Sequence, residues 1–542
     1  MGLSDRETYA ASALIIDGNP NSRSILCNQM RDFGVVNVRS IGRVRDARLM
    51  IEAEPFEIIL CDYHFDNSDM SGQELLDELR REKILPFSTV FIMVTAEATY
   101  QKVVEAAESA LDGYLLKPFT ATGLGDRLME ARRRKRVLRD IFLAIERKDL
   151  KLAAHMCVQR YENKEPYGMY CARVGAELLM QVGMHDAAKR VYKSILESKD
   201  LPWARMGIAR VQLDTGEIKE AKRTLETLIN DQPEMAEAFD VLGRVQLELG
   251  ELGEALDSYR VSLQLTPWCV SRLQQCGTLA MMQGHKDEAL RLMDRAVSAG
   301  LKSKLFDALT LVLMGFLRLD AKEPKGVAAV HESLQHILAR FPQSVRLNRF
   351  DKILQCSRAM AERRDDDASK FALEAFSDAE SESLDMEAAS NMLSLWSRLP
   401  DADTQTATAK AMLEAVGRRF CISHMSAEFL LAAAQHKEPA QTVIKQCHGQ
   451  INQIAEQCMN FTLNGNPKVA VQNLLQQGEL TRNAKLIEMA TLVIRRHEQR
   501  IDECEPLKTL AEDLHQRFCL PFNYIAGVRR AGRSAGGLSL RK

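Results

Sequence analysis

A chain of 542 residues is too long for one hydrophobic core and is expected to divide into two to four domains. Its 72 basic and 74 acidic residues leave a formal net charge of -2, a balance that draws the chain neither to nucleic acid nor to a membrane surface. The apolar runs fall short of a bilayer-spanning length, the start "MGLSDRETYAAS" lacks the apolar core of a signal peptide, and the twelve scattered cysteines form no CxxC pair and no metal-ligand spacing. The expectation is a cytoplasmic protein with reduced thiols and no membrane partner.

From Ala13 to about Arg127, the runs "ALIID", "VVNVRS", "EIILCD", "STVFIMVT" and "GYLLK" alternate with amphipathic helical stretches. That alternation predicts a parallel sheet covered by helices on both faces. Beyond Arg127 no strand is predicted. Helix follows helix, beginning with the arginine-rich "EARRRKRVLRD", which reads as a solvated basic face running straight out of the last helix of the first region.

Open parallel sheets bind ligands beyond the carboxyl ends of their strands. Here Asp17 follows "LII", Asp62 follows "IILC", Thr95 follows "FIMV", and Lys117 follows "GYLL" and precedes Pro118. Taken singly, an Asp or Thr at such a place often caps the next helix. Four polar groups at successive strand ends point to a site instead.

Residues 12 to 128 resemble a response-regulator receiver domain, most closely in "MVTAEA" (93 to 98) and "GYLLKPFT" (113 to 120). The resemblance implies a doubly wound, flavodoxin-like α/β fold with five parallel strands in the order 2-1-3-4-5. It implies Asp62 as the residue that accepts a phosphoryl group and Thr95 as the hydroxyl that swings to hold it. Lys117 is then the ammonium that pairs with it, Tyr114 the aromatic switch, and the bond before Pro118 a cis peptide. A sensor histidine kinase or phosphotransfer protein is the implied donor. The implied cofactor is Mg2+, held by Asp17, Asp62 and the backbone carbonyl of His64. The chemistry agrees, because a carboxylate attacks phosphorus only where charge building on the oxygens is neutralised, and magnesium prefers oxygen ligands.

Gly18 departs from that pattern. It stands where the family carries a second acid, so one direct ligand and one negative charge are missing, and metal binding should weaken unless water, Asp66 or Asp69 in "DYHFDNSDMSG" substitutes. His64, two residues past Asp62, occupies a position that tunes water access to an acyl phosphate.

The second region repeats. "GMHDAAKRVY", "GEIKEAKRTL", "GELGEALDSY" and "GHKDEALRLM" begin at Gly183, Gly216, Gly250 and Gly284, at spacings of 33, 34 and 34. Each glycine has an alanine five residues on (Ala188, Ala221, Ala255, Ala289) and a small residue seven back (Ala176, Ala209, Gly243, Gly277). A glycine ends one helix and the small residues let paired helices approach. This grammar resembles the tetratricopeptide repeat, with the aromatic place kept at Tyr192 and Tyr259 and lost at Leu225 and Met293. It fades after Gly300, although "NGNPKVAVQNLL" keeps the offset from Gly465 to Ala470, Ala368 lies five after Arg363, and "RKDLKLAAHMC" has the same shape around Ala153. The acidic stretch from Glu362 to Glu387 reads as a solvated face.

The expected organisation is a receiver at 1–128, a helical connector at 129–149, tetratricopeptide repeats at 150–300 and degenerate helical repeats at 301–520, together an all-α solenoid, then a disordered basic tail at 521–542. The sequence contains no GxxxxGK loop, GxSxG elbow, zinc signature or DNA-reading helix-turn-helix, so output is expected through binding, not catalysis. A protein or peptide target would lie in the concave groove. Arg210 and Arg244, each six residues before a loop glycine, are the candidates to grip its carboxylates; the alternative is that they pair with Glu237 or Asp240. Three functions stay open: a phosphorylation-controlled response regulator, a phosphorelay intermediate, and a constitutive scaffold with a silent receiver.

Overall fold

The computed structural model describes residues 11–65, 70–82, 84–86, 88–95, 113–301, 303, 305–377, 381–400, 407–502 and 504–519. The chain forms two compact units. One is built on the chain up to Leu273 together with Arg295–Phe306, the other on Gln274–Asp294 and the chain from Asp307.

In the first unit, β1 (Ser12–Ile16), β2 (Asn37–Ile41), β3 (Ile58–Asp62), β4 (Val90–Thr95) and β5 (Gly113–Leu116) form one parallel sheet in the order β2-β1-β3-β4-β5. This is the flavodoxin-like order. Neighbouring residues on a strand point to opposite faces, and both faces are covered. Leu14, Ile16, Ile59 and Phe91 pack with Ala47 and Ile51 of α2 (Val44–Ala53) and Leu75 and Leu79 of α3 (Gly72–Arg81). Ala13, Ile15, Leu60 and Ile92 pack with Leu26 and Met30 of α1 (Pro20–Asp32) and Leu124 and Leu128 of α4 (Ala121–Val137). The register sets Ile16 beside Cys61, Asp62 beside Val94 and Thr95 beside Leu116. Strand ends are therefore level, and the residues that follow them emerge together along one edge.

The arginine-rich helix does not run straight on. It stops at Val137, Leu138 takes φ -101 and ψ 12, and α5 (Arg139–Glu146) starts anew. The bend brings Leu138, Ile141 and Ile145 into a core with Ala153, Ala154 and Cys157. Burying those apolar side chains outweighs continuing one helix.

Helices α6 (Leu150–Glu162) to α12 (Leu252–Leu265) follow as antiparallel neighbours: α7 (Gly168–Gln181), α8 (His185–Ser198), α9 (Pro202–Asp214), α10 (Ile218–Asp231) and α11 (Ala236–Leu249). The loop glycines Gly183, Gly216 and Gly250 have φ of 75, 81 and 81°. At each, the next N–H reaches back across the turn: Met184 to the Leu179 carbonyl at 2.9 Å, Glu217 to Gln212 at 2.8 Å, Glu251 to Gln246 at 2.8 Å. This is the hydrogen bonding of a Schellman cap. Lys148, five residues before Ala153, adopts φ 63°, and Asp149 N–H bonds the Ala144 carbonyl at 2.9 Å. The turn survives there without its glycine.

The remaining helices are α13 (Val270–Met282), α14 (Lys286–Gly300), α15 (Leu309–Asp320), α16 (Pro324–Arg340), α17 (Val345–Ala361), α18 (Asp365–Phe376), α19 (Met386–Trp396), α20 (Ala407–Phe420), α21 (His424–Ala433), α22 (Glu438–Leu463), α23 (Pro467–Thr481), α24 (Ala484–His497) and α25 (Cys504–Phe518). In the second unit the same turn recurs at Gly284 and Gly465 (φ 81 and 82°), and at Lys322 and Arg363 (φ 59 and 58°). The intervals 284 to 322 and 322 to 363 are 38 and 41 residues; the first is lengthened by the connection between Gly300 and Leu309, the second by α16 and α17, of 17 residues each. Glu387 is not part of a solvated face. It is buried and held by Arg346 Nε and Nη2 at 2.6 Å each, while burial pushes its carboxyl up to about 7 against that pull.

Among the described residues no helix is long and apolar enough to cross a membrane. Ten of the twelve cysteines are buried and two are half-buried, all free thiols.

Candidate functional site

At the end of β1, Asp17 is only 1% exposed. Its Oδ1 accepts the Asn19 N–H at 2.8 Å, and its Oδ2 accepts the Ser22 hydroxyl at 2.5 Å and Lys117 Nζ at 3.0 Å. Asn19 caps α1 in turn, so the turn that begins the helix also orients the acid. At the end of β3, Asp62 Oδ2 accepts Lys117 Nζ at 2.6 Å, and the His64 N–H donates to the same carboxylate. The backbone N–H of Lys117 donates to the Thr95 carbonyl at 2.6 Å, and the Lys117–Pro118 peptide is cis. One lysine thus ties together the ends of β1, β3 and β4. Thr95 is fully buried at its strand end.

Burial raises the Asp62 carboxyl above the ordinary aspartate value, and the hydrogen bond and charge of Lys117 offset this only in part; the nearby Asp17 charge adds to the rise. Burial alone would lower Lys117, but its hydrogen bonds to Asp62 and Asp17 outweigh that and hold the ammonium above its usual value. Two acids share one cation, which leaves Asp62 with an oxygen to offer an electrophile.

The donors suit a hard cation, with Asp62 the better ligand because the Asp17 oxygens are already shared among Asn19, Ser22 and Lys117. His64 stands with its ring edge-on to Tyr63, centroids 4.7 Å apart. At Gly18 an added Cβ would meet only the Phe65 ring, at 3.6 Å, an ordinary contact. The position has room for the acid that the sequence omits. Asp66 and Asp69 lie outside the described residues. Tyr114 pairs with Met93 through the backbone of β5, and its side chain is outside what is described.

Two neighbours carry no sequence motif. Phe65 is buried beside Gly18, and Gly72 opens α3 so close to β3 that a Cβ would stand 2.0 Å from the Asp62 carbonyl oxygen and 2.9 Å from Cys61 Sγ. The only sequence signal for Gly72 is a glycine directly after the Ser71 cap.

In the repeats, the position six before the loop glycine also includes Glu177, which the same offset from Gly183 would have found. Arg210 is paired with Glu237 on the next repeat, and burial, which lowers its pKa, is outweighed by the charges of Glu237 and Glu177 and the hydrogen bond to Glu237. Asp240 is taken by Arg272 at 2.7 Å. Arg244 is half-buried and makes no ion pair among the described residues. The two arginines are therefore not equivalent. In the second unit, an open cleft is lined by Met281, Met282, Leu313, Phe429 and Arg398. Glu488, His515 and Cys519 bring ligand-type atoms within 4.8 Å of one another across α24 and α25; 27 residues separate the first two, so no local spacing announces them.

A family profile described as "Response regulator receiver domain" matches residues 13–129, and one described as "Tetratricopeptide repeat" matches residues 179–245. The chain is 33% identical over 115 residues to the chemotaxis protein CheY-3 of Vibrio cholerae, covering 21% of this chain and 86% of that protein. It is also 33% identical over 115 residues to the chemotaxis protein CheY of Pseudomonas aeruginosa, covering 21% of this chain and 90% of that protein. Among solved structures, the receiver domain of the Francisella response regulator 1452 is 21% identical, with 23% of this chain and 99% of that chain covered and a TM-score of 0.21. The chain belongs to the response regulators, through its receiver domain, and carries tetratricopeptide repeats behind it.

Proposed function

We propose that Asp62 accepts a phosphoryl group from a histidine kinase or phosphotransfer protein, with Mg2+ bound, and that this state controls binding of a target protein to the repeats. The observation that carries the reading is the single ammonium of Lys117 at 2.6 Å from Asp62 and 3.0 Å from Asp17. An Asp62 oxygen attacks phosphorus as the bond from phosphorus to the donor nitrogen breaks, and the imidazole leaves with that electron pair. Lys117 stabilises charge on the transferred oxygens. Mg2+, when bound, neutralises charge on the same oxygens; Asp62, Asp17 and the His64 carbonyl would hold it. Asp17 orients Lys117, and Thr95 supplies the hydroxyl that swings to bond the new phosphoryl oxygens.

Output by binding, without a second catalytic activity, is part of the same reading. Arg244, which makes no ion pair among the described residues, is the better candidate to meet an acidic group of the target, while Arg210 is engaged by Glu237. The test is labelling by a small phosphodonor. Wild type should label only with magnesium and Asp62→Asn not at all; equal labelling of both would overturn the assignment. Capture of a target by the full chain, with and without the phosphodonor, separates controlled binding from a constitutive scaffold. Rapid return of label to a histidine on a second protein would favour the relay alternative.

A further inference from the structure

Three charged residues on the outer side of α2 and α3 are almost wholly buried: Arg48 at 2%, Glu52 at 3% and Glu78 at 2% exposure. Charges are rarely buried unless paired. Arg48 Nη1 lies 3.2 Å from Glu78 Oε2, which accounts for one pair. Arg48 Nε also lies 3.9 Å from Glu52 Oε1 on the same helix. The remaining partners lie some 190 to 250 residues away in sequence. Glu78 Oε1 accepts the N–H of Val270, the first residue of α13, at 3.2 Å. Arg48 Nη2 donates to the carbonyl of Ala299, next to last in α14, at 2.5 Å. The Ser303 hydroxyl donates to Glu52. Trp268 packs against the receiver core on that face, with Arg295 over its ring at 5.1 Å.

The chemistry is complementary to helix ends. An N-terminus offers free N–H groups and partial positive charge, and it meets a carboxylate; a C-terminus offers free carbonyls and partial negative charge, and it meets a guanidinium. At the opposite end of the same repeats, α4 touches the first full hairpin. Tyr167 donates its hydroxyl to Glu130 at 2.9 Å, and the Arg134 guanidinium lies 4.7 Å from the centre of the Tyr170 ring. Both contacts use the edge of the array where α7 and α13 begin.

Helix α3 also reaches the acceptor. Its first residue, Gly72, donates its N–H to the Tyr63 carbonyl at 2.9 Å and leaves no space for a Cβ against the Asp62 carbonyl. Glu78 lies six residues further along the same rigid helix. A displacement at Asp62 and Tyr63 therefore moves the group that caps α13.

We propose that the receiver is itself a bound partner of the repeats, seated on their helix ends at two points, α4 on the start of α7 and the α2–α3 face on the start of α13 and the end of α14, and that α3 carries the state of Asp62 to the second seat. The second clause rests on the phosphoacceptor reading. Glu177, Arg210 and Arg244 lie on the helices strung between the seats, so a shift of α3 relative to α4 alters the spacing of the groove row.

Hydrogen exchange on the full chain tests both clauses. In an Arg48→Ala, Glu78→Ala double variant, exchange near Val270, Ala299 and Ser303 should rise about tenfold while helices α8 to α12 keep their protection. Ser303→Ala should show a smaller rise at the same places, and it decides the matter if the double variant misfolds. Unchanged exchange there would overturn the second seat. Beryllofluoride with magnesium then serves as the phosphoryl probe, its binding read by fluorine NMR. A bound signal with altered exchange near Val270 in wild type, lost in the seat variant, supports coupling through α3. A bound signal with no change near Val270 overturns the coupling and leaves the phosphoacceptor reading intact. No bound signal overturns both.

Discussion

In the receiver, single atoms at fixed strand ends define the site: Lys117 Nζ meets Asp62 and Asp17, and no neighbouring residue could take its place. In the repeats, Gly183 and Lys148 fill equivalent turns, with φ of 75 and 63°, and the same reach-back hydrogen bond closes both. The receiver keeps its function in side-chain identity, whereas the repeats keep theirs in backbone geometry and in small residues at helix crossings. Substitutions should therefore act sharply in the first and by degrees in the second.

The largest expected effect comes where a side-chain network of the receiver is buried against the repeats. Glu78→Ala removes the closer of the two carboxylates that face the buried Arg48 and takes the acceptor from the Val270 N–H, and it should cost about 3 to 5 kcal/mol in denaturant unfolding of the full chain. A cost below about 1 kcal/mol would mean that water reaches the pair. Next comes Gly72→Ala. A Cβ 2.0 Å from the Asp62 carbonyl forces α3 outward, and the loss should be about 3 kcal/mol with Lys117 and Asp62 pulled out of register. Unchanged stability there would contradict the close approach.

The turns should respond more mildly and in opposite directions. Gly250→Ala, at φ 81°, should destabilise by about 1 kcal/mol. Lys148→Gly, at φ 63°, should stabilise by a few tenths, because relief of the left-handed strain is partly offset by unfolded-state entropy. If both substitutions destabilise equally, the two turns are not equivalent and the comparison breaks.

The smallest effect is confined to acid. Asp320 in the second unit is half-buried, which would raise its pKa, but His436 and Arg398 outweigh that desolvation and hold it well below the ordinary range. A depressed carboxylate contributes stability that is complete above its unfolded pKa and lost as pH falls towards the folded value. Thermal melts of wild type and Arg398→Ala should therefore converge as pH drops below about 4. A constant gap down to the acid limit would assign the effect to packing of Arg398 against Phe316 instead.

The parallel sheet was legible because β1, β3 and β4 are short apolar runs, buried on both faces and ending in a polar residue, whereas the exposed edge strand β2 carries little of that signal and the strand order came from the receiver resemblance. The meeting of Asp17, Asp62 and Lys117 followed from those ends. The turn at Arg363 was also legible, through Ala368 five residues on, because the alanine is constrained by packing even where the glycine is not. The seat made by Arg48, Glu52 and Glu78 was not legible: on a helix surface those residues look like ordinary solvated charges, and the groups they meet, two backbone groups and the Ser303 hydroxyl, lie some 190 to 250 residues away. Leu138 hid the bend for a similar reason, since its burial depends on the repeat core and on no local signal.

The central claim is that Asp62 is the acceptor, and the most direct measurement is chemical trapping of the acyl phosphate. After treatment with a phosphodonor and magnesium, borohydride reduction and peptide mapping should find homoserine at position 62 in wild type, less in Lys117→Ala, and none without magnesium. Homoserine at another carboxylate, or equal conversion with and without the phosphodonor, would contradict the account.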